Sequence, residues 1–131
     1  MSITILELRP MGEPAATLEA LIREITQFRD ARDWAQFHNP KDLALAISIE
    51  AAELLEHFLW QDANQVEGLA TNAAALTDLR REVADVLIFA LLLAHRLGID
   101  PTEAIRDKLR ENAAKYPVAK AKGTAKKYTE L

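Results

Sequence analysis

Apolar residues recur along most of this chain at the three- and four-residue spacing of a helix face. Leu18, Leu21, Ile22, Ile25 and Phe28 share one such face and predict a first helix over Ala15–Trp34. Before it, Ile3, Ile5 and Leu8 lie in a short leader that Met11-Gly12-Glu13-Pro14 breaks. Asn39-Pro40-Lys41-Asp42 carries a capping side chain, a proline for the first helical position and an acid for the first turn. It predicts a second helix running to about Trp60. The polar, alanine-rich stretch from Gln61 to Ala75 has room for a short helix. A third helix is predicted over Thr77–Leu97, stopped by Gly98. Asp100-Pro101-Thr102-Glu103 then places a cap and a glutamate spaced for a capping box, opening a fourth helix to about Lys115. From Pro117 onward the lysine-rich segment is expected to be irregular. With no hairpin signal and no internal repeat, the prediction is an all-α, four-helix bundle. Its parts are a leader over 1–14, one helical domain over 15–116 and a tail over 117–131.

Composition narrows the picture. A chain of 131 residues supports one core but not two, and 50% apolar residues exclude a wholly disordered chain. The absence of cysteine removes disulfides, zinc–thiolate sites and a thiol nucleophile. The longest apolar stretch, Val83–Ala94, is interrupted by Asp85 and is too short to cross a bilayer, so no membrane association is expected. The first residues have neither the basic start nor the apolar run of a secretory signal, which makes a cytoplasmic location the expectation. The net charge of −4 hides an asymmetry: residues 1–114 hold 11 bases and 19 acids, whereas 115–127 hold five lysines and no acid. An acidic body is a poor nucleic-acid surface, and no nucleic-acid partner is expected. It remains able to bind a polyphosphate through divalent cations.

Four of the acids sit where solvent does not account for them. On the second helix Leu43, Ile47, Leu54 and Phe58 fall in one sector about 60° wide, with Glu50 beside it and Glu53 one turn on. Residues three apart on a helix stand roughly 5–6 Å from each other. The remaining positions are largely apolar as well, including Leu45, Ile49, Leu55 and Leu59, which marks a helix buried on more than one side. The third helix repeats the arrangement with Glu82 and Asp85; between Glu82 and His95 only Asp85 is polar. An ionised carboxylate in such surroundings needs a charge partner or a metal. Arg80, Arg81 and Arg96 offer the first solution, a buried ion-pair network; a divalent cation shared by all four acids is the second. Oxygen-only donors select Mg2+, with Mn2+ as substitute, over zinc or copper. A di-iron centre requires Glu-x-x-His pairs, and the residues three before His38, His57 and His95 are Ala35, Leu54 and Leu92.

The sequence resembles the MazG-like, all-α nucleoside triphosphate pyrophosphohydrolases, and within them the dCTP pyrophosphatase branch. The likeness is carried by Phe28-Arg29-Asp30-Ala31-Arg32-Asp33-Trp34-Ala35-Gln36-Phe37-His38, by Glu50-Ala51-Ala52-Glu53-Leu54-Leu55-Glu56 with Trp60, by Glu82-Val83-Ala84-Asp85-Val86-Leu87-Ile88, and by Lys127-Tyr128-Thr129-Glu130-Leu131. The resemblance implies that Glu50, Glu53, Glu82 and Asp85 hold Mg2+ and that a dNTP is hydrolysed to its monophosphate and pyrophosphate. An unligated carboxylate oxygen, assigned to Glu53, would accept the proton of the attacking water. It implies further that Trp34, His38 and Trp60 surround the base. Lys108, Asn112 and Tyr116 match positions able to reach the triphosphate. Phe89 replaces a tyrosine and Ile25 a histidine found in vertebrate-like members, two departures that bear on cytosine preference.

Hydrolysis of dCTP or a modified pyrimidine dNTP, in nucleotide-pool sanitation, is therefore the expected function. A non-catalytic, nucleotide-sensing helical module and a pyrophosphohydrolase for a phosphoribosyl nucleotide are the alternatives. Helices apolar on most sides leave more sticky surface than one short unit can hide, so a homodimer or homotetramer is expected, as in the family resembled.

Overall fold

The structure, a computed structural model, describes residues 16–131. The predicted leader therefore lies outside the described residues. Every α-helix long enough to pack begins at a side-chain cap. Helix α1 (Leu18–Asp30) starts at Thr17, whose hydroxyl accepts from the Ala20 amide at 3.1 Å. Helix α2 (Pro40–Glu56) starts at Asn39, bonded to the Asp42 amide, with Pro40 in the first turn as the sequence indicates. A short helix, α3 (Ala63–Gly68), occupies the alanine-rich connection and is opened by a reciprocal capping box between Asp62 and Gln65. Helix α4 (Ala73–Arg96) is capped by Asn72 and begins at Ala73, four residues ahead of the expected Thr77, and it stops before Gly98, whose φ is +68°. Helix α5 (Pro101–Lys115) is capped by Asp100, which accepts from the Thr102 and Glu103 amides; the return bond from Glu103 is not among the hydrogen bonds of the described residues.

Three expected ends shift for identifiable reasons. α1 stops at Asp30 rather than near Trp34 because the Arg29 carbonyl turns to accept both the Arg32 and Trp34 amides, around a left-handed Asp33 (φ 54°). α2 stops at Glu56 rather than Trp60. His57, Phe58 and Leu59 tighten into i→i−3 bonds, and Trp60 itself has φ 63°, which a helix cannot contain. The tail is not wholly irregular: Pro117 opens one further helical turn, α6 (Val118–Ala121), and Tyr128–Glu130 form a 3-10 turn.

The class is all-α, with no strand among the described residues and four long helices. α4 packs chiefly against α2 and also against α1. Leu43 from α2, 1% exposed, and Leu92 from α4, 4% exposed, are the fully buried apolar side chains of the described residues. α5 has no extensive contact with another element, and its Ile105 and Leu109 remain 56% and 61% exposed. No described helix is long and apolar enough to cross a membrane.

Candidate active site

The α2–α4 seam fixes where the acids go. Glu50 and Glu53 are one helical turn apart on α2, and α4 brings Glu82 against them. One carboxylate oxygen from each of the three lies within 4.8 Å of the others. Such mutual distances are those of ligands around one ion. Asp85, a turn beyond Glu82, falls outside that set but remains near enough for its charge to act on Glu50.

Glu50 is the group under most electrostatic load. Its carboxyl titrates above the ordinary carboxylate value, first because burial disfavours the charged form, then because Glu53 shares a hydrogen bond with the protonated form. The negative charges of Glu53, Asp85 and Glu82 act in the same direction. Its Oε2 is buried with no hydrogen-bond partner. Among the described residues the hydrogen-bond partner of Glu82 is the His57 ring, with Nε2 3.4 Å from Oε1. Among the described residues no arginine or lysine pairs with Glu50, Glu53, Glu82 or Asp85, and Arg81 turns instead to Asp78 at 3.7 Å. The ion-pair alternative thus finds no support. An orphaned carboxylate oxygen within an all-oxygen donor set fits a hard divalent cation.

Next to the acids lies a largely apolar pocket of 280 Å³ between α1, α4 and the turn that precedes α2. Ile25, Ile88, Phe89 and Leu92 form much of its wall, and Trp34, His38 and Asp85 complete it toward the carboxylates. Trp34 is held there by the left-handed turn at Asp33 and by an edge-on contact with Phe28, ring centroids 5.8 Å apart. The Arg32 guanidinium stacks over Phe28 at 3.6 Å and braces the same turn. The Nδ1 of His38 is buried and unpartnered. At 280 Å³ the space is just below the roughly 300–1,000 Å³ of drug-sized sites, suited to one planar ring.

The other anticipated contacts lie elsewhere in this chain. Trp60 is 98% exposed at the end of α2. On α5, Lys108 pairs with Glu111 at 2.9 Å, Asn112 accepts the Tyr116 amide through its carbonyl, and Tyr116 packs edge-on against Tyr128. None of the four lines the pocket.

Comparisons with known proteins follow the same line. The sequence model of the MazG-like family matches residues 45–131. The chain belongs to the MazG-like family. It is 38% identical to the mouse (Mus musculus) protein dCTP pyrophosphatase 1 over 118 residues, 90% of this chain and 69% of that one. A shorter stretch of 34 residues, 26% of this chain and 32% of the other, is 68% identical to a dATP/dGTP diphosphohydrolase of cyanophage S-2L. Among solved structures, a pyrophosphatase from Archaeoglobus fulgidus superposes with a TM-score of 0.71 at 38% identity, covering 82% of this chain and 99% of that one. The span matched to the MazG-like family holds all four acids, whereas Trp34 and His38 precede it.

Two residues at this MazG-like site escaped the sequence reading. His57 follows Glu53 by one turn and so shares its face, a signal that was available in the spacing. Arg29 lines the pocket with its side chain only 12% exposed. It stands four residues after Ile25 and so shares that face of α1, a signal also available in the spacing.

Proposed function

We propose that this MazG-like chain is a Mg2+-dependent nucleoside triphosphate pyrophosphohydrolase that cleaves a dNTP, dCTP or a 5-modified pyrimidine dNTP, to dNMP and pyrophosphate. The observation that carries the reading is the convergence of Glu50, Glu53 and Glu82, with a buried unpartnered oxygen on Glu50, beside an aromatic pocket of base size. Relatives named for dCTP and for dATP/dGTP hydrolysis support it.

Glu50, Glu53, Glu82 and Asp85 would hold Mg2+, with Mn2+ as substitute. Bound there, the ion supplies charge neutralisation for the phosphates and acidifies water. Glu50 and Glu82 anchor from the half-buried seam, and His57 orients Glu82. Glu53, more exposed than either, keeps an oxygen free to accept a proton from the attacking water. Trp34 stacks on the base, a contact worth about 1–3 kcal/mol in single-stranded nucleic-acid complexes, with His38 and Phe89 at its edge. Mechanistically, water attacks between the α- and β-phosphates, and pyrophosphate leaves.

The active form is a homodimer or homotetramer. Ile105 and Leu109 on α5, Leu45 and Ile49 on α2, and Val83 and Leu87 on α4 are exposed large apolar groups facing away from the single-chain core. In such an assembly α5 carries Lys108, Asn112 and Tyr116 to the triphosphate of a neighbouring copy, and Trp60 closes over a base there.

Purified protein with Mg2+ is expected to release pyrophosphate from at least one dNTP, and Glu53→Gln to abolish that release. Release of orthophosphate, or binding of dNTPs with no turnover, overturns the reading.

A further inference from the structure

The pocket beside the carboxylates has few polar side chains, and the one that reaches in from α1 is Arg29. Its Nε is tied to Asp30 at 2.8 Å, and this bond holds the Asp30 carboxyl below its ordinary range. That engagement fixes the plane of the guanidinium at its inner edge. The outer pair, Nη1 and Nη2, donates to no group among the described residues. The side chain is only 12% exposed, and it lines the pocket together with Ile25, Phe28 and Ile88. A guanidinium whose fork is unpaired among the described residues, on a side chain that lines a largely apolar slot of 280 Å³, offers two parallel donors to an occupant of that slot. His38, whose Nδ1 is buried and unpartnered, lines the same pocket.

The fork has donors only, two of them parallel, so it is satisfied by two neighbouring acceptors in one plane. Among nucleobases the choice is limited. Cytosine offers O2 beside N3, and guanine offers O6 beside N7. Adenine sets its N6 amino donor beside both N7 and N1, and thymine and uracil place an N–H donor between their two carbonyls. A substituent at C5 of cytosine leaves the O2/N3 pair untouched.

We propose that Arg29 is the residue that selects the base, its Nη1/Nη2 fork reading a pair of adjacent acceptors and so favouring cytosine or guanine over adenine, thymine and uracil. This rests on the hydrolase reading above and deepens it, since neither the acid cluster nor the stacking face of Trp34 distinguishes one base from another. The rival role for Arg29 is a phosphate contact, which would be indifferent to the base.

The test measures kcat/KM for dCTP, dGTP, dATP and TTP with Mg2+, together with calorimetric binding of the same four nucleotides with Ca2+, for the wild type, Arg29→Lys and Arg29→Ala. Lysine keeps the charge and loses the fork. A bidentate pair discriminates by roughly 5- to 150-fold. The ratio of the better of dCTP and dGTP to the better of dATP and TTP is expected to be of that order in the wild type. In both variants it should fall to about threefold or less, with Mg2+-dependent melting retained. An equal loss across all four nucleotides in Arg29→Lys would assign the residue to phosphate and overturn the proposal. So would an unchanged ranking, or a wild type that prefers dATP or TTP. If the wild type turns over none of the four nor 5-methyl-dCTP, the hydrolase reading fails while the calorimetric ranking still decides the role of Arg29.

Discussion

The α2–α4 seam and helix α5 are built from similar material and end in opposite states. Both carry apolar residues at helical spacing, yet the seam buries Leu43 and Leu92, whereas α5 leaves Ile105 and Leu109 in solvent. The seam concentrates negative charge that has no cationic partner among the described residues, and α5 satisfies its charges locally, as in the Lys108–Glu111 pair. The contrast separates a region organised by interhelical packing from one whose polar contacts are local. Under the proposed function, the acids would be organised within one chain, and Lys108, Asn112 and Tyr116 on α5 would reach substrate only across a contact between copies.

The comparison can be broken most forcefully at Glu53. Glu53→Gln should lower kcat by about 10²- to 10⁴-fold, the range for loss of a proton acceptor, whereas Lys108→Ala should mainly raise KM. A pyrophosphate-release assay on the two variants separately, and mixed, checks this. If α5 serves a neighbouring copy, the mixture recovers activity that neither variant has at the same concentration.

Core substitutions come next. Leu43→Ala removes a fully buried side chain and should cost about 2–5 kcal/mol in urea unfolding. Leu109→Ala on α5 should leave unfolding of dilute protein nearly unchanged and shift the sedimentation profile toward smaller species. Equal destabilisation by both changes would erase the distinction between seam and α5.

A smaller effect follows from Glu50. Because its carboxyl is held above the ordinary 4.5, protonation favours the folded state. That contribution is complete below the ordinary value and disappears as pH rises through the raised one. Metal-free protein should therefore gain thermal stability relative to Glu50→Gln on acidification from pH 7 to about pH 5. At pH 7 Mg2+ should restore the wild type but not the variant. Differential scanning calorimetry of both proteins, with chelator and with Mg2+, reads the two slopes. The smallest expected effect is on the exposed pair itself: Glu111→Gln, at one end of the Lys108 contact, should leave the midpoint of thermal unfolding within error.

Much of the fold was legible in the chain because capping is local chemistry. Asn39-Pro40, Gly98 and Asp100-Pro101 each act within one turn, and each stands where the structure begins or ends a helix. The misjudged ends are those where a backbone reversal outweighs a continuing apolar pattern. At Asp33 and Trp60 the left-handed φ ends the run although the residues on either side would suit a helix. The start of α4 was missed because Ala73 to Leu76 carry no polar alternation to distinguish a helix from a loop.

The same division applies to the candidate site. Glu50-x-x-Glu53 and Glu82-x-x-Asp85 could be paired from sequence, since a spacing of three fixes a common face on any helix. That Glu50, Glu53 and Glu82 close to within 4.8 Å of one another while Asp85 stands apart depends on the register of α2 against α4. Arg29 shares a face with Ile25 and His57 with Glu53, but that those faces meet the pocket and Glu82 depends on interhelical contacts.

By itself, then, the sequence determined an all-helical chain, the placing of most of its caps and two pairs of acids each sharing a helix face, although it overstated their depth: Glu53 is exposed and Glu50, Glu82 and Asp85 are half-buried. All of these depend on forces acting within a turn or two of helix. Tertiary structure decided which carboxylates share a centre, which face of α1 meets the pocket and which helix is left without an intrachain partner. Those outcomes depend on how side chains far apart in sequence interlock, and periodicity along one helix contains no information about the register of the next.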